Sequence, residues 1–389
     1  MSDKQNPSDW NPRDDSVLRD QRHAYDELRE KCPVASSEFL DWSIFRHEDI
    51  AGVLADPDTY SSASHHRAIP NGMDPPEHTL YRHLLEPFFA AESMDAFEPQ
   101  VRKIARDLLG KLTDHGDVGF VSEFAEPFSL ESHCVFLGWP REFWEHLLGW
   151  NHGNQQVAFS RDRATGKALA LAFAGYVTNA LEARRNAGAD PANDDLTAHL
   201  MTTMVEDKTL TDDDIVSILR NWTAGQGTVS ASLGILVQYL AAHPDVQQRL
   251  RSELALIPAV IEEILRTDGP LVANSRTTTK QVEIEGRTID AGEKLTLMWI
   301  AANRDERMFE DPDQVRLDRD PEGNFLFGSG IHDCLGAPLA RLEMRIAVEE
   351  LLAHTSNVTL ASAGRPERAI YPSNGITELM IRLDSRRQG

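Results

Sequence analysis

Cysteine is scarce in this chain. Three occur in 389 residues, at positions 32, 134 and 334. An odd, widely spaced set argues against a disulfide scaffold, and no two lie close enough to begin a zinc site. Basic residues are also few: 39 Lys and Arg face 62 Asp and Glu, a net charge of −23. That balance disfavours nucleic acid and anionic membrane as partners. Long apolar runs are missing as well. The longest, over 231–242, is broken by Ser232, Gly234 and Gln238 and is too short to span a bilayer. The first ten residues are polar, with no apolar signal core and no anchor. What remains, 41% hydrophobic and 26% charged, is the composition of a soluble globular protein, expected in the cytoplasm. No internal repeat or low-complexity linker appears, so residues 1–389 read as a single domain.

Helical periodicity is abundant. Apolar residues recur at helical intervals over 87–112, 165–187, 211–242, 246–266 and 335–354. Asp212, Asp213 and Asp214 load the first turn of the third segment, where negative charge is stabilised, and His243-Pro244 stops it. Strand-like alternation is confined to small patches. Val282 to Ile284, a turn at Glu285-Gly286 and Thr288-Ile289 predict a hairpin, with further strands over 294–300 and 378–383. Residues 303–321 are irregular, polar and rich in Asp, Arg and Pro. The fold class is mainly α with small β-sheets.

The stretch 327–336, Phe-Gly-Ser-Gly-Ile-His-Asp-Cys-Leu-Gly, carries the strongest chemistry. It presents Cys334 on a glycine-rich loop just ahead of a helix, where the positive end of the dipole favours thiolate. Gly328, Gly330 and Gly336 let the backbone pass close to a flat bulky object, and His332 can serve acidic groups on it. The bland alternative is a buried structural cysteine. Within the 211–242 helix lies Asn221-Trp222-Thr223-Ala224-Gly225-Gln226-Gly227-Thr228. Each interior glycine costs roughly 1 kcal/mol against alanine, so either a ligand or a neighbouring helix must approach closely. Glu263 and Arg266 stand one turn apart on an apolar helix, with Glu262 a competing partner for the arginine. His78 and Arg82 are one turn apart after Asp74-Pro75-Pro76.

The loop at 327–336 resembles the haem-binding loop of the cytochrome P-450 family, Phe-x-x-Gly-x-His-x-Cys-x-Gly, with every fixed position filled. Ala340-Arg341-Leu342-Glu343 continues the match. Residues 224–228 resemble the family's oxygen-binding motif Ala-Gly-x-Asp/Glu-Thr, except that Gly227 stands where the acid is usual. Glu263 and Arg266 resemble its Glu-x-x-Arg pair, completed by Arg319 as a buried structural network. The resemblance implies the family fold, a helix-rich triangular prism enclosing haem b, in a soluble bacterial protein. It makes Cys334 the axial iron ligand and Thr228 a proton-handling hydroxyl, with Gln226 as a second proton route. His78, Arg82, Arg276 and His332 become propionate contacts, and Ala224, Phe327 and Gly336 further haem contacts.

The implied reaction is monooxygenation: hydroxylation, or O-dealkylation where the attacked carbon adjoins an ether oxygen, of a small apolar organic substrate using O2. Electrons would come from NAD(P)H through a separate ferredoxin and ferredoxin reductase, since no such domain is visible in the chain. Arg341 and Arg345 would form a basic patch for an acidic ferredoxin. The alternatives are a nitric-oxide reductase-like or peroxide-driven haem-thiolate enzyme, or a non-catalytic haem sensor. His65, His66, residues 271–274 and 375–377 match pocket-bordering segments by position alone, and Cys32 and Cys134 read as ordinary thiols.

Overall fold

The structure, a computed structural model, describes residues 8–112, 116–187, 195–362, 365–371 and 373–385. Among them, eleven α-helices have nine residues or more. In chain order they are α1 (Gln21–Lys31), α2 (His47–Ala55), α3 (Glu77–Leu85), α4 (Ala91–Leu112), α5 (Glu126–Leu137) and α6 (Trp144–Ser160), followed by α7 (Arg163–Ala187), α8 (Asp212–Ala242), α9 (Pro244–Ser252), α10 (Ile257–Thr267) and α11 (Ala337–His354). None is long and apolar enough to cross a membrane. The described residues cluster into two compact units.

The first unit comprises residues 1–65, 262–334 and 369–374. Its frame is a five-stranded sheet of β1 (Val34–Ser37), β2 (Asp41–Ile44), β3 (Tyr60–Ser61), β4 (Ala273–Thr278) and β5 (Lys294–Met298), in the order β1-β2-β5-β4-β3. The alternation of β5 explains its central place. Leu295 and Leu297 point into a core with Trp42, Ile50, Leu54, Trp299 and Phe325, while Met298 joins a second core with Trp10, Tyr25 and Phe45. The expected hairpin forms from Val282–Ile284 and Arg287–Ile289. Its turn places Glu285 and Gly286 at φ 49° and 71°, the left-handed region that a tight hairpin needs. Residues 303–321 carry no regular element.

The second unit comprises residues 66–261, 335–368 and 375–389. It is helical apart from short sheets, the largest joining Thr355–Leu360, Met380–Ser385 and Asp117–Gly119. The 31-residue α8 opens with a full capping box, Thr211 and Asp214 bonding each other's backbone N–H, and ends at His243 as expected. It packs against α5, α7 and α11, and buries residues on nearly every side. A Cβ at Gly234 would stand 3.2 Å from both the Cβ and the carbonyl oxygen of Ile376, so close packing explains that glycine.

Two helices differ from expectation. The 246–266 segment is two helices, α9 and α10, separated at Glu253 and a 3-10 turn over Leu254–Leu256. Pro258 is the cause: it has no N–H to give to residue 254, so it fits the first turn of a helix and not an interior. The 87–112 segment likewise becomes a 3-10 turn over Glu86–Phe89 followed by α4.

Candidate functional site

In the first unit, the Cys334 loop is held from its own backbone. The Cys334 N–H donates to the Phe327 carbonyl at 2.8 Å, and the Gly328 N–H to the Phe325 carbonyl at 3.0 Å. Gly328 and Gly330 have φ of 71° and 74°. At Gly330 a Cβ would also lie 2.8 Å from the Leu54 carbonyl oxygen, so that position requires glycine twice over. Gly336 differs. Its φ is −82°, open to any residue, and a Cβ there would meet nothing within 4 Å. Among the described residues, nothing demands that glycine. Cys334 is exposed, Phe327 and His332 are half-buried, and α11 begins three residues on, at Ala337.

Behind the loop, the structure resolves which glutamate partners Arg266. Glu263 takes both bonds, from Nε at 2.8 Å and from a terminal nitrogen at 2.9 Å, and it also accepts from Arg319 Nε at 2.8 Å and from the Arg316 N–H at 3.0 Å. Burial acts to raise the Glu263 carboxyl, but the bonds from Arg266, Arg316 and Arg319 outweigh it and hold the group below its ordinary value. Arg266, with a side chain 1% exposed, gives a further bond to the Asn303 carbonyl at 2.6 Å. The Asn303 side chain in turn accepts from the Phe325 N–H at 2.8 Å. His47 stacks on Phe325 with ring centroids 4.3 Å apart. The buried ion pair is thus one side chain removed from the start of the Cys334 loop.

In the second unit, α8 presents a narrow open strip. Between residues 223 and 230, Ala224 and Thr228 are exposed, while Thr223, Gln226, Val229 and Ser230 are buried. Thr223 and Ser232 bond their hydroxyls back to helix carbonyls, at 2.7 Å and 2.8 Å. Among the described residues, the Thr228 hydroxyl makes no such bond. Gly225 and Gly227 are not packing glycines. A Cβ at either would find its nearest neighbour at 3.9 Å, ordinary contact, from His133 Nε2 and Gln155 Nε2 respectively. The missing acid at 227 would therefore have stood beside the amide of Gln155.

Gln226 requires a correction. Two residues from Ala224 and from Thr228, it lies about 200° around the helix from both. Its side chain is 2% exposed and accepts a short hydrogen bond from the Asn151 amide of α6. Its backbone carbonyl accepts from the Ser129 hydroxyl of α5 at 2.7 Å. Gln226 ties α8 to its neighbours and faces away from the strip that carries Thr228.

The basic residues sit as follows. His78 is buried in the first turn of α3, and Arg82, one turn on, donates Nε to Glu86 at 3.1 Å. Arg276 lies half-buried on β4, opposite Leu295. Arg345 is no simple basic patch: it donates to Glu98 of α4 at 2.6 Å and to Glu349 at 3.1 Å, in a network with Arg102 and Glu350. Arg341 is exposed. Sequence reasoning missed Asn151, Gln155, Ser129 and His133, none of which has a local spacing signal tying it to α8.

The donor set suits haem. In the first unit, an exposed thiol on a fixed loop is the donor that cysteine offers haem iron; in the second, the alanine–threonine strip of α8 beside two unpacked helix glycines is open to a flat ring. Comparison with known proteins agrees. The family described as cytochrome P450 matches residues 155–367. A cyclomarin C epoxidase of Salinispora arenicola is 32% identical over 352 residues, 85% of this chain and 88% of that protein. An erythromycin C-12 hydroxylase of Saccharopolyspora erythraea is 34% identical over 348 residues, 86% of each chain. A solved structure of a mutant of P450 EryK with erythromycin B superposes with a TM-score of 0.86 at 29% identity, covering 95% of this chain and 97% of that one. The chain belongs to the cytochrome P450 family and is a P450 monooxygenase with the family's helix-rich fold.

Proposed function

We propose that the protein inserts one oxygen atom of O2 into an apolar organic substrate, by hydroxylation or O-dealkylation, with electrons from NAD(P)H through a separate ferredoxin and ferredoxin reductase. The 389 residues act as a single domain in this reading. The observation that carries it is the exposed Cys334 on a glycine-fixed loop of the first unit, and the exposed Ala224 and Thr228 of α8 support it separately within the second. Haem, when bound, supplies the oxygen activation.

The chain's residues take defined parts. Cys334 would supply a thiolate to haem iron, and the Glu263–Arg266–Arg319 network holds its loop in shape. Phe327 and Gly336 would contact haem, while His332 and Arg276 would bind its propionates. His78 and Arg82 would do the same from α3. Ala224 would contact haem through its small side chain, and Thr228 would hold a proton at its hydroxyl. Gln226, bonded to Asn151, positions the 224–228 segment and does not carry protons itself.

The test is turnover with a ferredoxin and its reductase under isotopically labelled O2, after a binding screen that follows the low-to-high-spin shift. The screen should include erythromycin and cyclomarin C, the compounds that the relatives described above are named for. One labelled oxygen per product molecule is expected. A substrate-bound protein that consumes NADH without labelled product under these conditions refutes the proposal. Gly227 favours one second reading, a peroxide-driven reaction, and product formation from hydrogen peroxide alone at a rate matching the complete system would establish it.

A further inference from the structure

One helix of the first unit, α2, touches the Cys334 loop and its approach at two points. At its C-terminal end, the Leu54 carbonyl oxygen lies 2.8 Å from where a Cβ on Gly330 would stand. At its N-terminal end, His47 is 9% exposed and lies flat on Phe325, with ring centroids 4.3 Å apart and planes 8° from parallel. Phe309 meets the same imidazole edge-on at 5.7 Å. The imidazole is also bonded, its Nε2 lying 2.7 Å from the Gly323 carbonyl oxygen. A carbonyl only accepts, so Nε2 carries the hydrogen and donates. Gly323 has φ 77°, and a Cβ there would strike Met308 and come within 3.2 Å of that nitrogen, so the approach requires glycine.

His47 is itself held. Its backbone N–H donates to Asp305 at 2.9 Å, which seats a buried carboxylate on the first turn of α2, where negative charge is stabilised. The groups under the imidazole lead to the thiol. The Phe325 carbonyl accepts from the Gly328 N–H, and the Phe327 carbonyl, two residues on, accepts from the Cys334 N–H. Phe309 ties the imidazole to the ion network as well, with the Arg266 guanidinium 4.9 Å from its ring centroid. That network reaches the loop through Asn303 and Phe325, and one point of support leaves a loop free to tilt. His47 and Leu54 add two more, about 10 Å apart along the axis of a single helix, and two points on a rigid rod remove the tilt.

We propose that His47 is a positioning residue for haem ligation: stacked on Phe325 and bonded to Gly323, with α2 stopping the loop at Gly330, it fixes how Cys334 presents its sulfur. Groups behind a metal ligand tune both the affinity for the metal and its potential. Ferric iron carries one more positive charge than ferrous iron and so gains more from an anionic sulfur. Loosening His47 therefore weakens the hold on ferric haem more than on ferrous haem, and the reduction potential rises. The inference rests on the monooxygenase reading with Cys334 as the ligand, so the experiment examines the two separately.

Four haem-loaded proteins are compared: wild type, His47→Phe (a stacking ring without the bond), His47→Gln (a donor without the ring) and His47→Ala (neither). A wild type lacking the thiolate-type ferrous CO band would overturn the underlying reading, and this inference with it. With that band present, His47→Ala should lose about 10-fold in affinity for ferric haem relative to ferrous haem, the low end for residues behind a metal ligand. By linkage that ratio is a rise of about 59 mV in reduction potential, read by spectroelectrochemistry. His47→Phe and His47→Gln should each show part of the rise. A merely structural role would lower the urea midpoint and leave the potential of the folded protein where it was. An unmoved potential in all three variants, with the CO band intact, refutes the proposal. Amide exchange in wild type decides the matter whether or not any variant folds. The Gly328 and Cys334 N–H groups should open together with those of His47 and Phe325, as one cooperative unit. Loop amides that open independently of His47 and Phe325 would separate the loop from α2 and overturn the inference.

Discussion

Replacing Arg266 with Met is the perturbation whose size the structure sets most closely. Met fills much of the same volume but removes two bonds to Glu263, at 2.8 Å and 2.9 Å, one to the Asn303 carbonyl at 2.6 Å and one to the Gln314 carbonyl at 3.3 Å. The site is dry: the side chains of Arg266 and Glu263 are 1% and 7% exposed. Removing one partner of such a buried pair leaves an under-compensated charge and costs about 3–5 kcal/mol. Arg319→Met removes one bond to Glu263 and two longer ones to the Asp311 and Gln314 carbonyls but leaves Glu263 its two-pronged partner, so about 1.5–3 kcal/mol is expected. The double variant should depart from additivity, because both arginines serve one carboxylate. The assay is urea unfolding at matched haem content. Acid sensitivity offers a second readout. Glu263 sits below its ordinary value of 4.5 in the folded protein, so its stabilisation is present above that pH and is lost as pH falls below it. Arg266→Met should flatten that acid loss. A cost under about 1 kcal/mol, or strict additivity with Arg319→Met, would refute the account of the network.

Further outcomes follow from single positions. Gly330→Ala should destabilise the protein by about 1–3 kcal/mol, from positive φ and the Leu54 carbonyl together. Gly336→Ala should leave haem-free stability unchanged and lower haem uptake, read by calorimetry and haem titration. Burial and the charge of Glu285 push the Asp49 carboxyl up to about 6, against the pull of Arg46. A raised folded value means that stability is lost as pH rises from the ordinary 3.8 through about 6, so Asp49→Asn should stabilise by about 1 kcal/mol at pH 7, solvent screening trimming the full linkage, and give no gain at pH 4. Thr228→Ala should divert NADH into hydrogen peroxide with haem content and substrate affinity held. Gly227→Asp should fold normally, since among the described residues Gln155 alone lies near its Cβ, yet should not fully rescue Thr228→Ala.

Much of the helical frame was legible because long helices with one apolar face announce themselves by period. The 31-residue α8 and α11 began and ended close to where capping and proline signals placed them. α5 was invisible for the opposite reason. Its buried face carries Ser129, Ser132 and His133, so apolar periodicity does not mark it. α6 holds Gly149, Asn151 and Gly153, which weaken the pattern in the same way. The N-terminal strands of the five-stranded sheet are only four residues each, too short to establish a period of two. At the site, everything local in sequence was readable, including the loop at 327–336 and the motif at 224–228. Relations across elements were not. Spacing left Glu262 and Glu263 open as partners of Arg266, and only three-dimensional packing assigns the bond to Glu263. Helix phase likewise turns Gln226 away from Thr228, a fact that the motif alone conceals.

The central claim is that Cys334 ligates haem iron as a thiolate, and the ferrous CO spectrum tests it most directly. The purified protein should carry one b-type haem whose CO complex shows the strongly red-shifted Soret band of thiolate ligation. Cys334→His should keep haem but lose that band together with oxygenase activity. A Cys334→Ala protein that retained both the red-shifted band and turnover would contradict the account.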